Sequence, residues 1–164
     1  MESLKTTLDL ASPPRVVVGD PESCRGCGGC ELICSLSHEG ECNPSVSRIS
    51  VKKDFFQIEF IPGTCRQCPD HPCMDACPEE AIHIDALTAA KVIEESKCIG
   101  CGLCASACPF NQEGRTILFH QAKKVYVKCD LCGGKPLCVE YCPREALRYV
   151  RWNPRLWERE EGSL

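Results

Sequence analysis

The chain has 164 residues, of which 17 are cysteine, with 43% hydrophobic, 26% charged and 6% aromatic residues and a formal net charge of -4. That composition excludes a disordered, collagen-like or low-complexity chain, and the acidic balance argues against a nucleic-acid binder. Such a length allows one ordinary domain or two very small ones, whose thin cores need disulfides or metal to hold them.

So much cysteine in a short chain first suggests a secreted disulfide scaffold. The start, MESLKTTLDLASPP, has no apolar h-region, twin arginine or small-residue cleavage site, and no apolar run approaches the roughly 18 residues of a membrane span. A cytoplasmic location is therefore expected, where reduced thiols at this density point to metal.

In chain order, RVVV at 15 to 18 reads as a strand. The first cysteine group follows, Cys24, Cys27, Cys30 and Cys34 in CRGCGGCELIC, and then the isolated Cys42, expected as a small buried apolar filler. SRISV and FFQIEFI read as a hairpin ahead of the second group, Cys65, Cys68, Cys73 and Cys77 in CRQCPDHPCMDACP. AIHID at 81 to 85 and KVIEE at 91 to 95 form the next hairpin, leading to Cys98, Cys101, Cys104 and Cys108 in CIGCGLCASACP. RTILFH and KVYVK make a further hairpin before Cys129, Cys132, Cys138 and Cys142 in CDLCGGKPLCVEYCP. ALRYVRW at 146 to 152 is the last strand, able to pair with RVVV and close the chain. Short helices are expected to start near Cys30, Cys73, Cys104 and Cys138.

This is a fourfold internal repeat. Groups one and three follow C-x2-C-x2-C-x3-C, and groups two and four lengthen only the middle spacer. Three sulfurs at i, i+3 and i+6 cannot all face one way on a helix. A glycine-rich loop can wrap them around three corners of a cube, and Gly26, Gly28, Gly29, Gly100 and Gly102 suit that path. The fourth cysteine points away and, in two-cluster ferredoxins, ligates the other cluster. Pro78, Pro109 and Pro143 follow it in three groups, completing the bacterial ferredoxin run or its variants, while group one has Ser35 there. Structural zinc prefers two knuckles far apart in sequence and fits this spacing less well. The fold class expected is α+β, with two small, loop-rich bacterial-type ferredoxin-like units, each holding two 4Fe-4S clusters, joined by β-hairpins.

The four groups, their order and the four-residue spacer of the second resemble the four-cluster electron-transfer subunits of molybdenum and tungsten oxidoreductases, over residues 15 to 150. The short chain is similar to the compact soluble members that accompany hydrogenases, formate dehydrogenases and carbon monoxide dehydrogenases. CELICSLSHEGECNPSVSRISV further resembles the small partners of tungsten aldehyde oxidoreductases and benzoyl-CoA reductases. The resemblance implies four 4Fe-4S clusters and a nested pairing of the groups. One cluster would be held by Cys24, Cys27, Cys30 and Cys142, and its neighbour by Cys129, Cys132, Cys138 and Cys34. A third would be held by Cys65, Cys68, Cys73 and Cys108, and a fourth by Cys98, Cys101, Cys104 and Cys77. Spacing alone leaves open a pairing of one with two and three with four. The nested scheme makes an outer unit of 15 to 60 with 121 to 152 and an inner unit of 61 to 120, with tails at 1 to 14 and 153 to 164.

The expected function is therefore a non-catalytic wire. It would relay single electrons between a catalytic subunit, of the tungsten or molybdenum aldehyde type or of a hydrogenase, formate dehydrogenase or carbon monoxide dehydrogenase, and a further redox protein such as a ferredoxin or a flavin or NAD subunit. The rival class is a cluster-stapled scaffold that promotes assembly, and a free-standing polyferredoxin is the third reading. No nucleophile triad, phosphate loop or catalytic carboxylate pair is apparent. His38, His71, His83 and His120 read as surface or hydrogen-bonded residues, and Ile99, Leu103 and Leu131 as shields between clusters and water. In RWNPRLWEREEGSL, Leu156 and Trp157 are expected to pack on a partner subunit or a second copy, the rival being a tail folded back on its own strands.

Overall fold

The computed structural model describes residues 15–111 and 114–157, the last without its side chain. Among the described residues, four two-stranded antiparallel sheets and four α-helices alternate along the chain. β1 (Arg15–Gly19) pairs with β8 (Leu147–Arg151), Val17 lying opposite Tyr149, so the two ends of the described chain meet. Between them come the hairpins β2 (Ser50–Asp54) with β3 (Glu59–Gly63), β4 (Ile82–Ile84) with β5 (Lys91–Ile93), and β6 (Ile117–His120) with β7 (Val125–Lys128).

Each helix begins one residue before the third cysteine of its group: α1 at Gly29, α2 at Pro72, α3 at Leu103 and α4 at Leu137. α2 (Pro72–Asp75), α3 (Leu103–Ala107) and α4 (Leu137–Glu140) are four or five residues long, and a proline that disfavours the helical conformation before it follows the fourth cysteine in each. Group one has Ser35 at that place, and α1 (Gly29–Glu39) runs on for 11 residues until Gly40 caps it with φ 74°. Ser35 is fully buried, its hydroxyl donating to the Leu32 carbonyl and accepting from the Asn43 N–H, both at 3.0 Å.

α1 packs on α4, and α2 on α3. Two apolar clusters follow from this, each short of aliphatic bulk and completed by cysteine. In one, Val17, Ile49, Leu131 and Leu147 surround Cys34, Cys129 and Cys138; in the other, Ile82 and Ile117 surround Cys73 and Cys104. The expected strands at FFQ begin later than read: Phe55, Phe56 and Gln57 form the turn of the hairpin, where the Asp54 carboxylate accepts the N–H groups of Phe56 and Gln57 at 3.0 Å, and both phenylalanines are exposed.

Candidate metal centre

All seventeen cysteines lie in the described residues and none is in a disulfide. Helix pairing gathers sixteen of them. Cys24 and Cys27 are electrostatic neighbours of Cys30, and Cys30 and Cys142 border one apolar cluster together. Cys34 lies beside Cys132 and Cys138, and Cys129 beside Cys138. One cavity is lined by Cys77 with Cys98, Cys101 and Cys104; a second is lined by Cys108 with Cys65, Cys68 and Cys73. Cysteines far apart in sequence therefore face common spaces.

Backbone N–H groups are aimed at the sulfurs. Gly26 donates to Cys24 Sγ, Arg48 to Cys34, Gln67 to Cys65, Ala81 to Cys77 and Tyr126 to Cys98, at 3.3 to 3.5 Å. Such donors favour negative charge on sulfur. Burial works against it: together with the charge of Glu31 it pushes the Cys30 thiol up to about 12, and together with neighbouring thiols it pushes Cys68 and Cys104 up to about 11. Crowded thiols that resist ionising one another need a cation among them before they ligate. Cys34 is the counter-case. Burial would raise its thiol, but the His38 ring and the Arg48 N–H outweigh that and bring it below the usual range.

The histidines are hydrogen-bonded or exposed. His38 Nδ1 donates to the Cys34 carbonyl at 2.9 Å, and Nε2 lies 3.1 Å from both Asp130 oxygens, bringing the pair close to Cys132 Sγ. Hydrogen bonding to Asp130, and then to Cys34, holds His38 up at about 10. Burial alone would raise Asp130, but the His38 hydrogen bond draws it down to about 2. Arg48 adds a 2.7 Å bond to Asp130 and a 2.9 Å bond to Glu95. His71 meets Asp75, His120 lies 3.4 Å from Glu39, and His83 is exposed.

Two expectations are corrected. Cys42 is exposed, since the chain between the Gly40 cap and the Asn43 turn lies on the surface. Of the three shields, Leu131 is 0% exposed, whereas Ile99, on the cysteine loop, and Leu103, the first residue of α3, are 62% and 50% exposed; Ile99 still lines the Cys77 cavity. Gly29 is helical, and the other four loop glycines have positive φ. Leu156 is half-buried in a short turn at Pro154–Trp157, and the Trp157 side chain, the 1–14 tail and residues 158–164 lie outside the described residues. No helix among the described residues is long and apolar enough to cross a membrane.

Residues 56–151, more than half of the chain, match the 4Fe-4S dicluster domain family, and residues 21–37 match the 4Fe-4S binding domain. The chain belongs to the 4Fe-4S dicluster family. This dicluster protein is 47% identical over 138 residues to the polyferredoxin-like subunit of aliphatic sulfonate oxidoreductase of Pyrococcus furiosus, covering 82% of this chain and 77% of that one. It is 33% identical over 156 residues to an iron-sulfur protein of Rhodospirillum rubrum, covering 82% and 81%. Among solved structures it is similar to a chain of the benzoyl coenzyme A reductase active site complex BamBC, with a TM-score of 0.48, 27% identity and coverage of 83% and 78%. Its cofactors are four 4Fe-4S clusters. The donor set fits them: free thiols in fours, N–H groups directed at sulfur, and cavities opening among the thiols. The dicluster protein is an iron-sulfur electron-transfer protein.

Proposed function

We propose that this dicluster protein is the non-catalytic electron-transfer subunit of an oxidoreductase complex, relaying single electrons between a catalytic partner and a further redox protein. The ligand sets of this reading are nested: Cys24, Cys27, Cys30 and Cys142; Cys129, Cys132, Cys138 and Cys34; Cys65, Cys68, Cys73 and Cys108; Cys98, Cys101, Cys104 and Cys77. They divide the chain into an outer unit of 15 to 60 with 121 to 152 and an inner unit of 61 to 120. The observation that carries the reading is the composition of the two cavities, each combining three cysteines of one group with the fourth of another. Packing of α1 on α4 and α2 on α3, with β1 on β8, supports nested over sequential pairing.

Bound at these sites, 4Fe-4S clusters take up and release one electron at a time. The residues supply the rest. Four thiolates per site leave no position open for a substrate, N–H groups hold charge on sulfur, and Leu131, Ile82 and Ile117 exclude water. The catalytic partner in this reading is an aldehyde-type tungsten or molybdenum oxidoreductase. Support for that type comes from the stretch CELICSLSHEGECNPSVSRISV, while the identity with a subunit named for an aliphatic sulfonate oxidoreductase supports the coarser reading of an oxidoreductase subunit.

Anaerobic purification with iron and sulfide analysis tests the cofactor sites: about 16 irons per chain are expected from four irons in each of four clusters. Several zinc atoms without iron-sulfur absorbance would sink the reading. A wire must also be reduced and reoxidised by its catalytic partner during turnover. Clusters that stay in one oxidation state while the complex turns over would leave only a structural role.

A further inference from the structure

Lysine is almost never fully buried unless it is paired, yet Lys91 and Lys128 are 5% and 2% exposed. Their ammonium groups meet neutral carbonyl oxygens: Lys91 Nζ donates to the Gln67 carbonyl at 3.1 Å, and Lys128 Nζ to the Lys91 carbonyl. Gln67, fully buried, ties together the backbone that carries them, accepting the Lys91 N–H on Oε1 at 2.7 Å and donating Nε2 to the carbonyl of Cys129, the residue after Lys128, at 2.9 Å. Among the described residues, the groups able to offset both lysines are cysteines, Cys65 and Cys73 for each, once they ligate as thiolates, rather than carboxylates. Two like charges in one dry place repel each other and are tolerable only beside compensating negative charge.

Both lysines line the cavity of Cys65, Cys68, Cys73 and Cys108, with Arg66 and no acidic residue among its described lining. The Cys77 cavity has Glu79 as its one charged lining residue among those described. Cys30 stands beside Glu31, which pairs with Lys53 at 3.0 Å, and at the site of Cys34 and Cys132 the cations His38 and Arg48 both bond Asp130. The Cys65 site is thus distinguished by two buried ammonium groups with no carboxylate among its described lining residues.

We propose that Lys91 and Lys128 are built-in counter-ions of the cluster held by Cys65, Cys68, Cys73 and Cys108, and make that site the first of the four to be reduced. The inference rests on the ligand sets proposed above. An electron entering from a reductant adds one negative charge to a site that already counts four thiolates, and fixed ammonium groups favour the reduced form more than the oxidised one. Electrons reaching the chain from either end collect there, next to Cys129 of the neighbouring site.

The test is a dithionite titration of the anaerobic holoprotein followed by EPR, with Lys128→Met and Lys91→Met as variants that keep length and lose charge. The most positive of the four midpoints should move negative in each, and in the double variant this centre should lose its first place, with iron content and the other three midpoints unchanged. No shift at full iron content, or a shift in a later-reduced centre, overturns the proposal. Should the variants lose iron, the unmodified protein decides: with lysine labelled by 15N at Nζ and one electron added per chain, pulsed EPR should show nitrogen coupling in the first-reduced centre. Absence of that coupling also overturns it. Fewer than about 16 irons in the unmodified protein overturns the ligand sets themselves.

Discussion

Gly100→Ala tests whether the third cysteine loop tolerates any side chain. Gly100 sits at φ 70°, and a Cβ there would lie 2.4 Å from the Lys124 carbonyl oxygen and 3.6 Å from the Phe119 ring. The oxygen belongs to the backbone of the turn between β6 and β7, where Lys124 itself has φ 58° and its N–H is bonded to His120, so it cannot swing aside as a side-chain end can. The left-handed conformation alone costs alanine about 1 to 2 kcal/mol, and relieving the overlap adds about 1 to 3 kcal/mol of overpacking. Gly40→Ala is the control, because Gly40 has φ 74° with nothing within 4 Å of its Cβ position and pays the conformational cost alone. Thermal unfolding and iron analysis read the result. At roughly 2 to 4 °C per kcal/mol for a chain of this size, Gly100→Ala should lower Tm by about 4 to 20 °C and Gly40→Ala by about 2 to 8 °C. Iron should fall from about 16 to about 12 only in Gly100→Ala, as the Cys98 loop loses its path around four irons. Equal Tm values and full iron in both variants would refute the reasoning.

Three further outcomes follow from the same geometry. Cys142→Ala should damage the cluster built on Cys24, Cys27 and Cys30 at the other end of the sequence; EPR loss confined to the site of Cys129, Cys132 and Cys138 would count against nested pairing. Asp130→Asn should cost about 1 to 3 kcal/mol, with a pH signature from His38 and Asp130. His38 is raised from 6.5 to about 10, so its contribution is complete below about 6.5 and fades as pH rises through 10; Asp130 is lowered from 3.8 to about 2, so its contribution is present above 3.8 and fades as pH falls through 2. The Tm gap between the parent and Asp130→Asn should therefore be widest near pH 4 to 6.5 and shrink towards pH 10, where Arg48 remains as partner; a gap that stays flat would remove His38 from the account. Finally, removing iron with a chelator under air should unfold the chain, because the apolar clusters are completed by cysteine; an apoprotein with unchanged circular dichroism would contradict this.

Much of the site was legible because its chemistry is written locally. Cysteine spacing marks the loops, and the alternating stretches around Ile82, Val92, Leu118 and Val127 mark strands whose partners are neighbours in sequence. The β2–β3 hairpin was misplaced because Phe55 and Phe56 look like strand residues, while Asp54 draws the chain into a turn there. The length of α1 was implicit in Ser35 standing where the other groups have proline, and the consequence appears only when the four helices are compared. Lys91 and Lys128 were illegible, since charged residues on short strands ordinarily face water. It is the tertiary crowding of cysteines that makes a buried ammonium tolerable.

The pairing of β1 with β8 has a further consequence for how the chain is made. Gly19 leaves the ribosome long before Leu147, its partner. At roughly 5 to 20 residues per second, the first strand and the first cysteine loop wait on the order of 10 s for the last ones, while the hairpins between them can close from their own residues. Throughout that interval Cys24, Cys27, Cys30 and Cys34 are nascent thiols without their late partners. Assembly of this protein should therefore be most vulnerable to oxidants during synthesis, and early scavengers or a waiting metal donor would protect its N-terminal third more than any other part.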